Sequence, residues 1–409
     1  MKAQLVVIGG GPAGLGAALS ARKHGTQDIV ILEREERTGG ILKQCIHSGF
    51  GLHKFGEELT GPEYAYKYEK AVEDENIRIM TGTTVLKLEK SKRVTAVNKE
   101  YGVFEIEAEA VILAMGCRER PRGALNIPGS RCAGIYTAGT AQKFVNVHGL
   151  LPGKKVLILG SGDIGLIMAR RLTLEGAEVV GVCEIMDYSG GLARNIEQCL
   201  NDFNIPLYLS RTVTKIYGND RVCGVAVASV GADRRVIKGT EEYIECDTLL
   251  LSVGLLPENE LTRAAGIAID KKTGGAVCDE RRETGAEGIF ACGNVLHVHD
   301  LADYVSDEAE IAGKSAAEYI SGKQAGGEKF TVAAGDGVRC TVPARIGKNA
   351  SAEIFFRVSK PMENALFTLC CDGKILREIK KVKASPGTME KISVENAQGD
   401  ITVCAREVM

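Results

Sequence analysis

Two glycine-spaced segments carry the clearest chemistry in this 409-residue chain. Residues 5–14 read Leu-Val-Val-Ile-Gly-Gly-Gly-Pro-Ala-Gly, so Gly9-x-Gly11-x-x-Gly14 follows directly on an apolar run. Gly9 permits a sharp turn, Gly11 has no Cβ to block a pyrophosphate, and Gly14 lets the next helix lie close to the strand. Pro12 and Ala13 complete the turn, and helix-forming residues run from Leu15 to Lys23. The helix N-terminus then offers free N–H groups and a positive dipole end to phosphates. A second apolar run, Ile29 to Leu32, ends in Glu33, 24 residues after Gly9. A carboxylate there accepts hydrogen bonds from ribose hydroxyls.

The unit recurs. Residues 156–165 read Val-Leu-Ile-Leu-Gly-Ser-Gly-Asp-Ile-Gly, giving Gly160-x-Gly162-Asp163-Ile164-Gly165. A helix-like stretch runs from Leu166 to Glu175, and the apolar run Val179 to Cys183 ends in Glu184, again 24 residues after the first glycine. Gly9, Glu33, Gly39 and Gly40 map onto Gly160, Glu184, Gly190 and Gly191 at a constant offset of 151, and small Ala18 and Ala169 follow the two turns alike. Two dinucleotide-binding units imply two nucleotides held face to face for electron transfer. A carboxylate at Glu184 binds the 2′- and 3′-hydroxyls of NAD and repels a 2′-phosphate. No Lys or Arg lies between Cys183 and Gly191, so the second nucleotide is expected to be NAD(H) rather than NADP(H).

The elements that position these turns repeat as well. Short alternating strands follow each unit, over about 77–115 and about 205–254, and end in Gly116 and Gly254. Each of these glycines closes an apolar strand and lets backbone pass near a nucleotide. Residues 117–130 read as a linker, a helix is expected from about Ser306 to Ile320, and 322–327 reads as a hinge. The last 80 or so residues are rich in strand patterns: Ala352 to Val358, Ala365 to Cys371, Leu376 to Val382 and Ile401 to Arg406. The expected fold class is α/β, with two Rossmann-like dinucleotide-binding domains carrying β-meander insertions and a small C-terminal β domain.

Composition narrows the function. Lys plus Arg is 51 against 53 for Asp plus Glu, so no basic excess exists to neutralise a nucleic-acid backbone. No apolar run reaches the length of a transmembrane helix. The strand-like Leu5 to Ile8 starts almost at Met1, leaving no room for a signal peptide. Thirteen cysteines with no CxxC spacing argue against zinc, iron–sulfur or dithiol sites, and an odd count suits free thiols in the reducing cytoplasm.

Three side chains are candidates for chemistry beside the nucleotides: Cys45, His47 and His299. Cys45 has no second cysteine within 20 residues, which excludes a local dithiol; three readings stay open, a single low-pKa thiol cycling through sulfenic acid, a charge-transfer contact with a bound cofactor, and a small residue packed beneath it. His47, His297 and His299 are three of six histidines, and His serves as a proton donor near neutral pH. His47 with His299 lacks the acid or thiol spacing of a closed metal site, so no metal is expected. Asp303 reads as a helix cap. The helix that follows Gly293-Asn294 would direct its N-terminal dipole at negative charge on a reduced cofactor.

Together these residues resemble the two-dinucleotide-binding flavoproteins of the pyridine nucleotide–disulfide oxidoreductase superfamily, over about residues 1–325. The resemblance rests on both fingerprints, on Ala114-Met115-Gly116 and on Gly288-Ile-Phe-Ala-Cys-Gly293. It implies FAD on the first unit, held by Gly9, Gly11, Pro12, Ala13, Gly14, Glu33, Arg34, Gly40, Ile41, Val85, Ala114, Gly116, Gly293 and Asn294. It implies NAD(H) on the second, held by Gly160, Gly162, Asp163, Ile164, Gly165, Glu184 and Gly254. The family's usual Gly-Asp is Gly293-Asn294 here, so an amide replaces the carboxylate that holds the ribityl chain. Domains follow as 1–117 and 256–326 for FAD, 118–255 for NAD, and 327–409 for the C-terminal β domain.

More narrowly, residues 39–51, Val298 to Val305 and the terminal domain are similar to a bacterial subfamily whose genes lie beside a glycerol-3-phosphate dehydrogenase-like flavoprotein and a small CxxC protein. The chain is also similar to flavoprotein subunits of opine oxidase and hydrogen cyanide synthase. This implies a subunit that exchanges hydride with NADH and electrons with a second flavoprotein subunit or a small redox protein. Two alternatives remain: a stand-alone NADH oxidase or peroxidase using Cys45, and an FAD-binding docking subunit without turnover of its own.

Overall fold

The computed structural model describes residues 1–323 and 327–408, so the expected hinge at 322–327 lies partly outside the described residues. The chain forms two units, Met1–Cys117 with Pro257–Met409, and Arg118–Leu256.

In the first unit, β1 (Lys2–Ile8) leads through the first fingerprint into α1 (Pro12–Lys23), and β2 (Ile29–Leu32) returns parallel to β1. Proline sits in the first turn of α1, where its missing N–H removes no helical bond. The helix therefore begins three residues earlier than its apolar pattern suggests. After α2 (Gly61–Asp74), the 12-residue β3 (Gly102–Leu113) serves two arrangements. Its first half pairs antiparallel with Arg93–Asn98 in a meander. Its second half is inserted in parallel between β1 and Ile289–Ala291. The residues follow this division: Glu105 and Glu107 are exposed in the meander half, whereas Ala110 to Leu113 are fully buried.

The second unit repeats the plan. β4 (Lys155–Leu159), α3 (Asp163–Leu174) and β5 (Glu178–Cys183) form the strand–helix–strand, and β6 (Thr248–Leu251) pairs parallel with β4. The sheet runs Ile135–Thr137, β6, β4, β5, Leu207–Tyr208. A three-stranded antiparallel meander (211–218, 222–229, 242–245) precedes β6.

The chain's return to the first unit brings α4 (Ala302–Ile320), which starts four residues before the expected Ser306, directly after the extended Leu301. α4 packs closely on α1: a Cβ on Gly313 would collide with the Ala17 carbonyl, and one on Gly16 would meet Ala309 Cβ at 3.4 Å. Small residues at these contacts let the two backbones approach. The C-terminal strands form a five-stranded and a three-stranded sheet with a shared core including Ile354, Phe356, Phe367 and Val403. Strand β7 (Ala352–Val358) alternates, so Phe356 enters that core while Phe355 points the other way, into the core beneath the first sheet with Val342 and Met389. No described helix is long and apolar enough to cross a membrane.

Candidate functional site

The two fingerprints fold into turns with the same backbone features. Gly9 has φ +109° and Gly160 φ +98°, conformations that exclude a side chain. A Cβ at Gly9 would collide with the Ala114 carbonyl, and at Gly160 with the Ser252 carbonyl, so each turn is pressed against the strand ending in Gly116 or Gly254. A Cβ on Gly14 would strike the Gly9 carbonyl, and one on Gly165 would lie 2.8 Å from the Gly160 carbonyl. By contrast, a Cβ on Gly11 would meet nothing nearer than Gly40 Cα at 4.0 Å, and one on Gly162 nothing nearer than Ser252 Oγ at 3.4 Å. Gly116 and Gly254, at φ +72° and +101°, face open space. Neither α1 nor α3 is capped by the side chain of its own N-cap residue, and in α3 Ser252 Oγ accepts the Gly165 N–H at 3.1 Å while no described residue takes the earlier N–H groups. Uncapped N–H groups beside a cradle with room at the middle glycine fit a pyrophosphate in both units.

The terminal acids also match. Glu33 is buried and accepts N–H bonds from Gly10 (2.7 Å) and Glu35 (2.8 Å). Glu184 is buried and accepts from Ser161 N–H (2.9 Å), Ser161 Oγ (2.7 Å) and Met186 N–H (2.9 Å). Each carboxylate is held in place by the turn it serves, with acceptor capacity left for ribose hydroxyls. Asp163 has a supporting place: its Oδ1 accepts from Leu192 N–H (2.8 Å) and Asn195 Nδ2 (2.7 Å), tying down the segment after Gly191. Ile164 follows it, half-buried, in the first turn of α3. Arg34 extends to the surface and pairs with Glu258 at 3.2 Å. Val85 pairs with Ala96 in the meander, two residues after Thr83, whose N–H binds the Glu33 carbonyl at 2.8 Å.

Residues 40–54 form a segment tethered to α4. Gly40, at φ +54°, packs on Gly11, and Ile41 beside it is exposed. Asp303 accepts N–H bonds from Gly51 (3.0 Å) and His53 (2.8 Å), so this carboxylate anchors the segment; it does not cap α4, as its position suggested. Lys54 reaches Asp307 (2.9 Å) and Glu310 (2.7 Å). His47 lies in the segment, half-buried, with its ring 5.1 Å from Phe50. Cys45 donates to the Ile41 carbonyl at 3.3 Å and packs under Gly61 at the start of α2. Burial pushes its thiol up to about 12, because its surroundings desolvate a thiolate, which favours the packing role over a low-pKa redox thiol. All thirteen cysteines are free thiols.

His299 is not brought to His47. It lies in a buried cluster with His297, Glu308 and Arg282, which the sequence did not single out as a set. The nearest signal was the His297-x-His299 spacing. The cluster borders Gly293-Asn294: Gly293 N–H donates to Glu308 (2.9 Å), and Asn294 Oδ1 accepts His299 N–H (3.0 Å). Asn294 Nδ2 donates to Cys117 Sγ at 3.6 Å.

A family model described as pyridine nucleotide-disulphide oxidoreductase matches residues 3–317. One of the opine oxidase subunits of Agrobacterium tumefaciens is 26% identical over 78% of this chain and 64% of its own length. The HcnB subunit of hydrogen cyanide synthase from Pseudomonas protegens is 25% identical over 64% of this chain and 58% of its own length. An NADH oxidase of Methanocaldococcus jannaschii is 26% identical over 78% of this chain and 68% of its own length. The chain thus spans under two thirds of the first two relatives. Thioredoxin reductase of T. acidophilum shares the fold at TM-score 0.64 and 23% identity, covering 78% of this chain and 98% of that one.

Proposed function

The chain belongs to the pyridine nucleotide-disulphide oxidoreductase family, whose members are FAD-dependent oxidoreductases of NAD(P)H, and from this we propose a hydride-exchanging member of an electron-transfer assembly. FAD would rest on the first fingerprint, with Gly11 and the α1 N-terminus at its pyrophosphate and Glu33 at its ribose. The region 1–117 and 256–326 would be its domain. NAD(H) would rest on the second, in 118–255, with Glu184 selecting a free 2′-hydroxyl. When bound, FAD supplies hydride and electron transfer that side chains cannot.

This chain's residues bind and orient. The uncapped helix ends stabilise the two pyrophosphates, the two carboxylates orient the riboses, and Asp303 with Lys54 fixes the segment that carries Cys45 and His47. The observation that carries the reading is the duplicated turn, with Glu184 buried at the tip of β5 and no cation between Cys183 and Gly191. The opine oxidase relative and HcnB are each one subunit of a larger enzyme by name, which supports an assembly containing a second flavoprotein subunit or small redox protein, with 327–409 as a C-terminal β domain. The raised thiol of Cys45 counts against a peroxidase acting alone.

Anaerobic titration tests this directly: NADH should bleach the flavin, and NADPH should need a far higher concentration. A preference for NADPH would overturn the nucleotide assignment. Co-purification of the native protein tests the assembly, and a chain that isolates alone and turns over NADH with oxygen at full rate would overturn it.

A further inference from the structure

Glu308 lies on α4 with no exposed side-chain surface, outside both glycine fingerprints and their terminal acids. Its one carboxylate takes four donors. Arg282 Nε (2.9 Å) and His297 Nε2 (3.0 Å) meet Oε1; Gly293 N–H (2.9 Å) and His299 Nε2 (3.1 Å) meet Oε2. Both imidazoles must donate through Nε2, since a carboxylate only accepts. Burial, and then the neighbouring His299, push His297 down to about 4, so it is neutral near pH 7. One anion, one guanidinium and a neutral His297 can share this buried space only because each faces a partner.

The three ligand atoms of His297, His299 and Glu308 lie within 4.8 Å of one another, which raises the question of a metal. The arrangement argues against one. The carboxylate is already engaged by a guanidinium, only three ligands converge, and His299 Nδ1 has no hydrogen-bond partner among the described residues, whereas ligating imidazoles are oriented through that second nitrogen.

We propose that Glu308 is a positioning residue for FAD, fixing the Gly293–Asn294 turn through one carboxylate, and that Phe355 of the C-terminal β region seals the arrangement. Glu308 holds Gly293 directly. It holds Asn294 through His299, whose ring binds Glu308 while its backbone N–H binds the Asn294 amide oxygen. The turn is set against the first fingerprint: Gly293 has φ +73°, and a Cβ there would lie 2.7 Å from Ala13 Cβ. A shift in the turn is therefore felt where α1 begins. Phe355 covers the other side, its ring 5.5 Å from His297, 5.7 Å from His299 and 5.6 Å from the Arg282 guanidinium. Water kept from the cluster leaves its hydrogen bonds strong. The proposal rests on FAD occupying the first fingerprint.

The test uses full-length protein and FAD itself, independent of any electron acceptor. Wild-type protein that binds no FAD would overturn the family-based reading of the site; the variants below address Glu308 alone. Glu308→Gln keeps the shape and removes the charge. Its FAD dissociation constant should rise by about tenfold or more, the loss expected from weakening hydrogen bonds to a charged group. Its flavin absorption band and midpoint potential should shift. Phe355→Leu, which leaves every polar partner in place, should move the same readouts by less. If Glu308→Gln fails to fold with Arg282 unpaired, the double variant R282M/E308L removes both charges and should fold but show the same weakened FAD binding. A folded variant of Glu308 with the wild-type dissociation constant, band and potential overturns the proposal, even if its melting temperature falls. One equivalent of transition metal in the purified protein, whose chelation releases the flavin, overturns it too.

Discussion

In the first fingerprint Glu33 accepts the backbone N–H of Gly10; in the second, Glu184 accepts both the N–H and the hydroxyl of Ser161. The second turn is finished partly from within its own segment and partly by Ser252, whose Oγ takes the Gly165 N–H at 3.1 Å. Ser161 Oγ also takes the Gly190 N–H at 3.0 Å, and Asp163 holds Leu192 and Asn195. The first turn is tied to its own segment only through backbone, the Gly39 N–H to the Gly10 carbonyl at 2.8 Å, and is closed further by distant elements, the Gly293 turn against Ala13 and α4 against α1. A cradle closed by distant elements suits a ligand held permanently. One completed by its own loop suits a ligand that comes and goes. On the proposed reading, the same backbone chemistry would serve a resident FAD and an exchanging NAD(H), the difference lying in what encloses each.

The paired glycine variants Gly9→Ala and Gly160→Ala would break this comparison most directly. Left-handed strain costs about 1–3 kcal/mol and the carbonyl collision about 1–3 more, on the order of 100-fold or greater in binding. Gly9→Ala should purify without flavin, read from the ratio of visible to ultraviolet absorbance. Gly160→Ala should stay yellow yet need on the order of 100-fold more NADH for reduction. A yellow Gly9→Ala protein with normal affinity would remove the distinction.

Mild acid, above about pH 4.5, should act chiefly on the first site. His297 has its folded pKa lowered to about 4, so the unfolded chain takes up this proton first. The contribution is complete above about pH 6.5 and is lost as pH falls toward 4, on the order of 3 kcal/mol in all. Glu308 is held well below the usual carboxylate range; burial opposes this, but the facing His297, His299 and Arg282 outweigh it. Its stabilisation is present above its unfolded value and is lost at still lower pH. Denaturant midpoints from pH 7 to 4.5 should fall together with flavin release, and a flat profile would separate the cluster from the site.

Glu184→Gln should raise the KM for NADH by about 10- to 100-fold, from about 1.5–3 kcal/mol of charged hydrogen bonding, with flavin content unchanged. Glu33→Gln should do the reverse, lowering flavin content first. The smallest effect is expected for Cys45→Ser: NADH oxidation within about twofold of wild type with each acceptor, since a thiol that stays protonated is a poor nucleophile. A large loss there would restore a redox thiol.

The fingerprints, their acids and the duplication were legible in residue order because strand, turn, helix and strand are local, and a glycine that must adopt φ near +100° leaves its mark on one position. Four of the eight described C-terminal strands were plain from alternation, while the shorter strands around 329–347 and 390–394 and the opposite destinations of Phe355 and Phe356 needed the packed sheets. The role of Asp303, the early start of α4 and the environment of Cys45 were not legible. A carboxylate that binds a residue 250 positions away looks like a cap, and a thiol's pKa follows from the groups packed around it. The Glu308 cluster was the least visible, since its members come from separate places between Arg282 and Phe355. Local backbone geometry is written in consecutive residues, whereas burial and charge pairing exist only once distant segments share one dry space.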